Sequence, residues 1–350
     1  MTGSGPNLGR AVDWQFAGTV GARLARPGPP TTDYTRKQAI DDLAGAARAA
    51  EAPVREMTQL SDGAPVDEAR IVDREQWIRS ASDSMRVMTG GEVTPSGRVA
   101  PRITGAQTGA VLAFISSGIL GQYDPFAAGQ ADGQGALLLV YPNVIAVERQ
   151  LRLTPKDFRL WVCLHEVTHR VQFTANPWLA GHMSSALAAL TAERDDDVVA
   201  MLGGLADFVR NRRSPGGTSE PGGIVGLLRA VQSESQRVAL DQLLVLGTLL
   251  EGHADYVMDA VGPAVVPSVQ LIRSRFDERR HRKQPPLQRL LRAVLGVDAK
   301  LSQYTRGRAF VDQVVDRVGM ARFNAVWSGP ETLPLHAEIE NPQRWIDRVL

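Results

Sequence analysis

The tightest constraint on how this chain can fold lies between residues 154 and 177. This apolar helical segment has to bury two histidines and a glutamate. Thr154-Pro155 offers an N-cap followed by proline at the first helical position, and Asp157 stands three residues after the cap, where an acid satisfies free amides. Phe158, Leu160, Trp161, Val162 and Leu164 are apolar on more than one face, as a core helix requires, and Val167 and Val171 extend one of those faces. Asn176-Pro177 stops the run. In its middle stand His165-Glu166-Val167-Thr168-His169. Residues four apart on a helix point the same way, so both imidazoles can reach one metal ion. The intervening glutamate can then reach an attacking water as general base. Without a metal these would be ordinary buried histidines, and Glu166 would be a costly buried charge.

A catalytic zinc usually has three protein ligands and one open position, so a third ligand is expected. The metzincin continuation requires glycine at 172 and histidine at 175; Gln172 and Ala175 exclude it. Two acids are candidates. Glu193 begins a Glu-x-x-x-Asp arrangement with Asp197, but Arg194, Asp195 and Asp196 beside it read as a solvated helix face. Glu251 follows the apolar run Leu243 to Leu250 and precedes Ala254, Val257 and Met258, so it sits in a helix that looks fully buried. An acid there is costly unless a cation or metal compensates it, which favours Glu251. Asp255, one turn on, can accept the second ring N–H of a metal-binding histidine. Gly252 would let two helices approach closely.

Several stretches resemble a family of zincin-like zinc metallopeptidases without established substrates. Its members are described as hydrolases or as proteins associated with biosynthesis of a deazaflavin coenzyme. The resemblance runs nearly end to end. It is carried by Val12-Asp13-Trp14, Pro53-Val54-Arg55-Glu56, the block from His165 to Leu179, Glu251 to Asp259, Gly262 to Pro267, Gln303-Tyr304, Gly307 to Val311 and Pro330 to Pro334. It implies an α+β, predominantly α-helical fold: a zincin-like core with a small sheet and an active-site helix carrying His-Glu-x-x-His. The family's third ligand, in a Glu-Gly-x-Ala element, falls on Glu251. The implied organisation is an N-terminal helical region, 1–95, packed on a catalytic domain, 96–350, the two forming one compact unit.

With 39 Lys and Arg against 38 Asp and Glu, a net charge of +1 gives no global attraction to nucleic acid or membrane. The arginine group around Arg273, Arg275, Arg279, Arg280, Arg282 and Lys283 is interrupted by acids and lacks interleaved aromatics, so it reads as a solvated helix end. The single Cys163 excludes an internal disulfide framework and reads as a small buried residue. The first residues show no basic start before an apolar stretch, so no targeting segment is expected. The runs Gly109 to Leu120 and Leu243 to Leu250 are too short to span a bilayer. A cytoplasmic enzyme acting on a peptide or protein is expected, with oligomeric state left open.

Along the chain, helices are predicted over 12–25, 36–52 and 73–89, with a Gly-, Thr- and Pro-rich connection over 90–110. Residues 111–120 are ambiguous between strand and helix. Ala136 to Tyr141 is a strand candidate, with Asn143 to Val147 continuing it or starting a helix. Such a strand suits a zincin plan in which an edge strand holds extended peptide. Further helices are predicted over 183–211, 224–235, 240–262, 264–280, 286–295, 297–318 and 319–327, with a short one at the end.

The expected chemistry is zinc-assisted hydrolysis with Zn2+ held by His165, His169 and Glu251 and with Glu166 moving the proton. A transition-state stabiliser is sought among His253, Tyr256 and Tyr304, although His253 lies roughly opposite Glu251 on its helix. His182, His281 and His336 read as surface or structural. Two other readings stand beside this one: a non-catalytic zincin-like scaffold that binds metal or a protein partner, and a hydrolase of non-peptide amides.

Overall fold

Capping chemistry sets several helix starts. Asp13 accepts from the Phe16 amide at 2.9 Å to open α2 (Trp14–Leu24), which follows the short α1 (Leu8–Ala11). Thr32 accepts from Thr35 at 3.1 Å to open α3 (Asp33–Thr58), and Asp73 with Gln76 forms a capping box before α4 (Arg74–Met88). The chain continues through α5 (Val99–Ser116), α6 (Tyr141–Leu151), α7 (Pro155–Ala175) and α8 (Trp178–Thr191). Then come α9 (Glu234–Val265), α10 (Val269–His281), α11 (Val297–Val318), α12 (Met320–Phe323), α13 (His336–Glu340) and α14 (Pro342–Val349). The computed structural model describes residues 8–60, 66–91, 99–127, 135–191, 234–281 and 297–350. The helix expected at 286–295, that at 224–235 before residue 234, and that at 183–211 beyond residue 191 lie outside the described residues.

Three sequence expectations change. Residues 99–110 are helical rather than a connection, because Gly105 and Gly109 bring α5 against α2. A Cβ at 105 would stand 2.6 Å from the Asp13 carbonyl oxygen, and one at 109 would stand 2.5 Å from that of Ala17. Helix α3 does not end at 52 but carries Pro53 inside it, since Val54 and Thr58 are fully buried beyond that point. At the start of α7, Thr154 makes no side-chain cap bond. Asp157 instead reaches Ser268, just ahead of α10, at 3.2 Å from its amide and 2.5 Å from its hydroxyl.

The small sheet has order β1-β3-β2, from β1 (Arg70–Val72), β2 (Gly121–Asp124) and β3 (Ala136–Val140). β1 runs parallel to β3, with Ile71 opposite Leu139; β2 runs antiparallel, with Gly121 also opposite Leu139. Every residue of β3 is buried because alternate side chains enter different cores. Leu137 and Leu139 join the α3–α7 core, and Ala136, Leu138 and Val140 join Trp77, Ile78 and Leu112. The strand before the motif helix is therefore the central one, and the edge facing α7 is β2.

Helix α7 runs through the middle of the largest core. On one side α3 packs Leu43, Ala47, Ala50 and Val54 against it. Ion pairs of two buried arginines frame that contact: Arg159 holds Glu148 at 2.9 and 3.1 Å and the half-exposed Asp42 at 2.6 Å, while Arg170 pairs with Glu51. On the other side α9 crosses α7, and α9 is itself packed on α8 and α11. Gly252 and Gly307 meet where α9 crosses α11, and a Cβ on either would collide with the facing backbone. Among the described residues no helix is long and apolar enough to cross a membrane.

Candidate metal centre

His165 and His169 project from one face of α7, and Glu251 meets them from α9. The two Nε2 atoms lie 3.2 Å apart, and Glu251 Oε2 stands 3.3 Å from His165 Nε2 and 3.8 Å from His169 Nε2. One potential ligand atom from each residue falls within a common span of 4.8 Å. A tetrahedral zinc with bonds of about 2.0–2.2 Å keeps its ligand atoms roughly 3.3–3.6 Å from one another. The donor set and its spacing therefore fit zinc. The three side chains are 21%, 13% and 22% exposed, so the centre has an open side. The competing candidate, Glu193, lies outside the described residues.

A family model for zincin-like metallopeptidases matches residues 12–346. The chain belongs to this family. Its structure is also similar to the crystal structure of a candidate hydrolase with a novel fold from Chloroflexus aurantiacus. The TM-score is 0.63 and the identity 28%, over 96% of this chain and 98% of that one. No curated protein matches the chain. Membership in a zincin-like family implies a metal, typically zinc, and points to a hydrolase.

Electrostatics in the zincin-like centre follow from burial and proximity. Burial alone would lift the Glu251 carboxyl, but hydrogen bonds and charge from His165 and His169 hold it well below the usual range. Burial lowers His165, yet the Glu251 hydrogen bond and the charges of Glu251, Glu166 and Asp255 carry it up to about 9. Metal-free His165 thus holds a proton that a divalent cation would displace. Glu166 is buried, and burial raises its carboxyl despite the two histidines, with Glu251 adding to the rise. Gly121 of β2 lies directly against it: a Cβ there would come 2.6 Å from Glu166 Cγ and 2.8 Å from Cδ.

Other expected partners of the centre sit differently. Asp255 stands 3.4 Å from Arg273, which also holds Asp259 at 2.7 Å and lies 5.3 Å over the Trp161 ring. Asp255 therefore influences His165 through its charge. The hydrogen bond seen on His169 belongs to Gln172, whose Oε1 is 2.9 Å from His169 Nδ1. Reading residue 172 only as the missing metzincin glycine hid this role. The available signal was a polar side chain three residues past the second histidine of the motif, on the same helix face.

His253 is fully buried behind Gln172, with ring centroids 5.5 Å from Phe323 and 5.4 Å from Trp327. Burial, aided by His169, drops its pKa to about 3. A neutral ring with no exposed surface does not touch substrate, so His253 is not a transition-state stabiliser. Tyr256 lies one turn past Gly252 on the face toward α11, its ring 5.8 Å from the Arg308 guanidinium. Tyr304 falls in α11 at a position whose side chain is outside the described residues, as does that of His281 in α10. His182 packs edge-on against Trp178, and His336 opens α13 in an exposed position. In the arginine group, Arg273 is tied to the two aspartates and Arg275 pairs with Glu278 at 3.3 Å. The side chains of Arg279 and Arg280, and residues 282 and 283, lie outside the described residues.

Proposed function

We propose that this chain is a zinc-dependent peptidase. His165, His169 and Glu251 would hold the metal, and Glu166 is the general base. The observation that carries the reading is the meeting of three donors within 4.8 Å, on two helices, beside a second, buried acid, Glu166. Zinc bound there supplies Lewis acidity, which acidifies a water and polarises a scissile carbonyl. Glu166 takes the proton from the attacking water and later delivers it to the leaving amine. Burial raises its carboxyl above the ordinary carboxylate value, in the direction that favours taking up that proton. A peptide or protein substrate is supported by β2, an edge strand of the three-stranded sheet that packs on α7 next to Glu166. An edge strand offers backbone amides and carbonyls to an extended chain. A cytoplasmic location belongs to the same proposal, supported by a lone thiol, Cys163, buried in the core.

Metal analysis and cleavage of a peptide library test this together. Glu166→Gln should keep stoichiometric zinc and lose about 10²–10⁴-fold in turnover. Glu251→Ala should lose the metal. A Glu166→Gln variant that cleaves at the wild-type rate, or a Glu251→Ala variant that retains zinc, refutes the assignment. Wild-type protein that holds zinc and cleaves small amides but no peptide moves the substrate class to non-peptide amides. Zinc without any turnover, unaltered by Glu166→Gln, leaves a metal-binding scaffold.

A further inference from the structure

We propose that Gln172 is the positioning residue of the metal centre: its side-chain oxygen holds Nδ1–H of His169 and so commits Nε2 of that ring to the metal. This rests on the reading of His165, His169 and Glu251 as ligands. Gln172 is fully buried on α7, one turn past His169. Its amide has one acceptor oxygen and two donor hydrogens, and the surroundings decide which end faces where. The nitrogen lies 3.0 Å from the Leu250 carbonyl oxygen, which can only accept. The flipped amide would set oxygen against oxygen there, so Oε1 must face His169 Nδ1 at 2.9 Å. That nitrogen is then the protonated one, and Nε2 carries the lone pair that faces Glu251.

The second amide hydrogen points to His253 Nδ1 at 3.0 Å, which places the His253 proton on Nε2. The Phe323 and Trp327 rings hold His253 in place behind the amide. All three hydrogen-bonding functions of Gln172 are thereby used. Leu250 immediately precedes Glu251, so one side chain orients a ligand on α7 and anchors the backbone beside the ligand on α9. The two helices are linked where the metal would sit, 78 residues apart in sequence.

Zinc affinity, read by competition with a chromophoric chelator, and thermal unfolding of metal-free protein test the proposal with two variants. Gln172→Met removes the acceptor and both donors. Gln172→Glu keeps the acceptor toward His169 and loses both donors. If the oxygen orients His169, Gln172→Met should weaken zinc binding about 10–100-fold. Gln172→Glu should then bind within about threefold of wild type, because a carboxylate is a stronger acceptor, even though the metal-free protein is less stable. A residue that merely ties the helices gives the opposite order, since Gln172→Glu loses both ties and buries a charge. Wild-type affinity in Gln172→Met, or weaker binding in Gln172→Glu than in Gln172→Met, overturns the proposal. Nitrogen-15 spectra of the histidines in zinc-loaded wild type give a second reading that needs no variant. Metal on Nε2 and a proton on Nδ1 of His169 are expected, and metal on Nδ1 overturns it. Wild type that takes up no zinc would instead refute the metal assignment itself.

Discussion

Replacing Gly252 with alanine sets helix propensity against packing within one helix. In an unobstructed helix the change gains about 1 kcal/mol. Here the new Cβ would lie 2.6 Å from the Arg308 amide nitrogen and closer still to the Gly307 carbonyl group. Ordinary contacts need roughly 3.5–4.0 Å, so α9 and α11 must part by about 1 Å. The obstacle is backbone and cannot rotate away. Overpacking costs about 1–3 kcal/mol, and this site belongs at the upper end. Packing therefore wins, for a net loss of about 1–2 kcal/mol and, for a chain this long, a fall in Tm of roughly 1–3 °C. Gly247 lies in the same helix with nothing within 4 Å of its would-be Cβ, so Gly247→Ala should be stabilising by about 0.5–1 kcal/mol. Thermal unfolding of metal-free protein, followed by circular dichroism, separates the two signs. If Gly252→Ala proves as stable as wild type while Gly247→Ala stabilises, the close helix crossing is wrong.

Arg159→Met should be destabilising by about 3–5 kcal/mol in urea unfolding, because it strands the buried Glu148 carboxylate, whereas the half-exposed Asp42 can rehydrate. Adding Glu148→Gln should recover much of that loss, and equal instability in the double variant would contradict the pairing. Burial raises the Glu338 carboxyl, but Arg348 and the Leu335 amide outweigh it and hold it below its ordinary 4.5. A depressed acid contributes stability above pH 4.5 that is lost as pH falls through its folded value. Glu338→Gln should accordingly flatten the acid side of a stability–pH profile below 4.5, and an unchanged slope there would rule out this pair as a contributor.

Much of the centre was legible because its information is local. Two histidines four residues apart, with a glutamate between them in an apolar helix, make one face of one element. Periodicity alone supplies that geometry. Glu251 was legible for a different reason: a lone acid inside an apolar run needs compensation, whatever provides it. The strands were harder to read. β3 is apolar throughout because its two faces enter different cores, so its central position looked the same as an edge, and Gly121–Asp124 carries no strand-like alternation at all. The Gly-rich stretch that became α5 reads as a loop until its glycines meet the carbonyls of α2.

The amino-acid order by itself determined which side chains can share a metal, since helical geometry repeats every few residues and asks nothing of distant chain. Only the tertiary structure decided what those side chains lean on. Gln172 rather than Asp255 faces His169, Arg273 from α10 occupies Asp255, and His253 is sealed behind the site, because the contacts that hold Gln172, Asp255 and His253 join separate elements. The contact between Gln172 on α7 and the Leu250 carbonyl on α9 joins residues 78 apart in sequence, which no local pattern encodes.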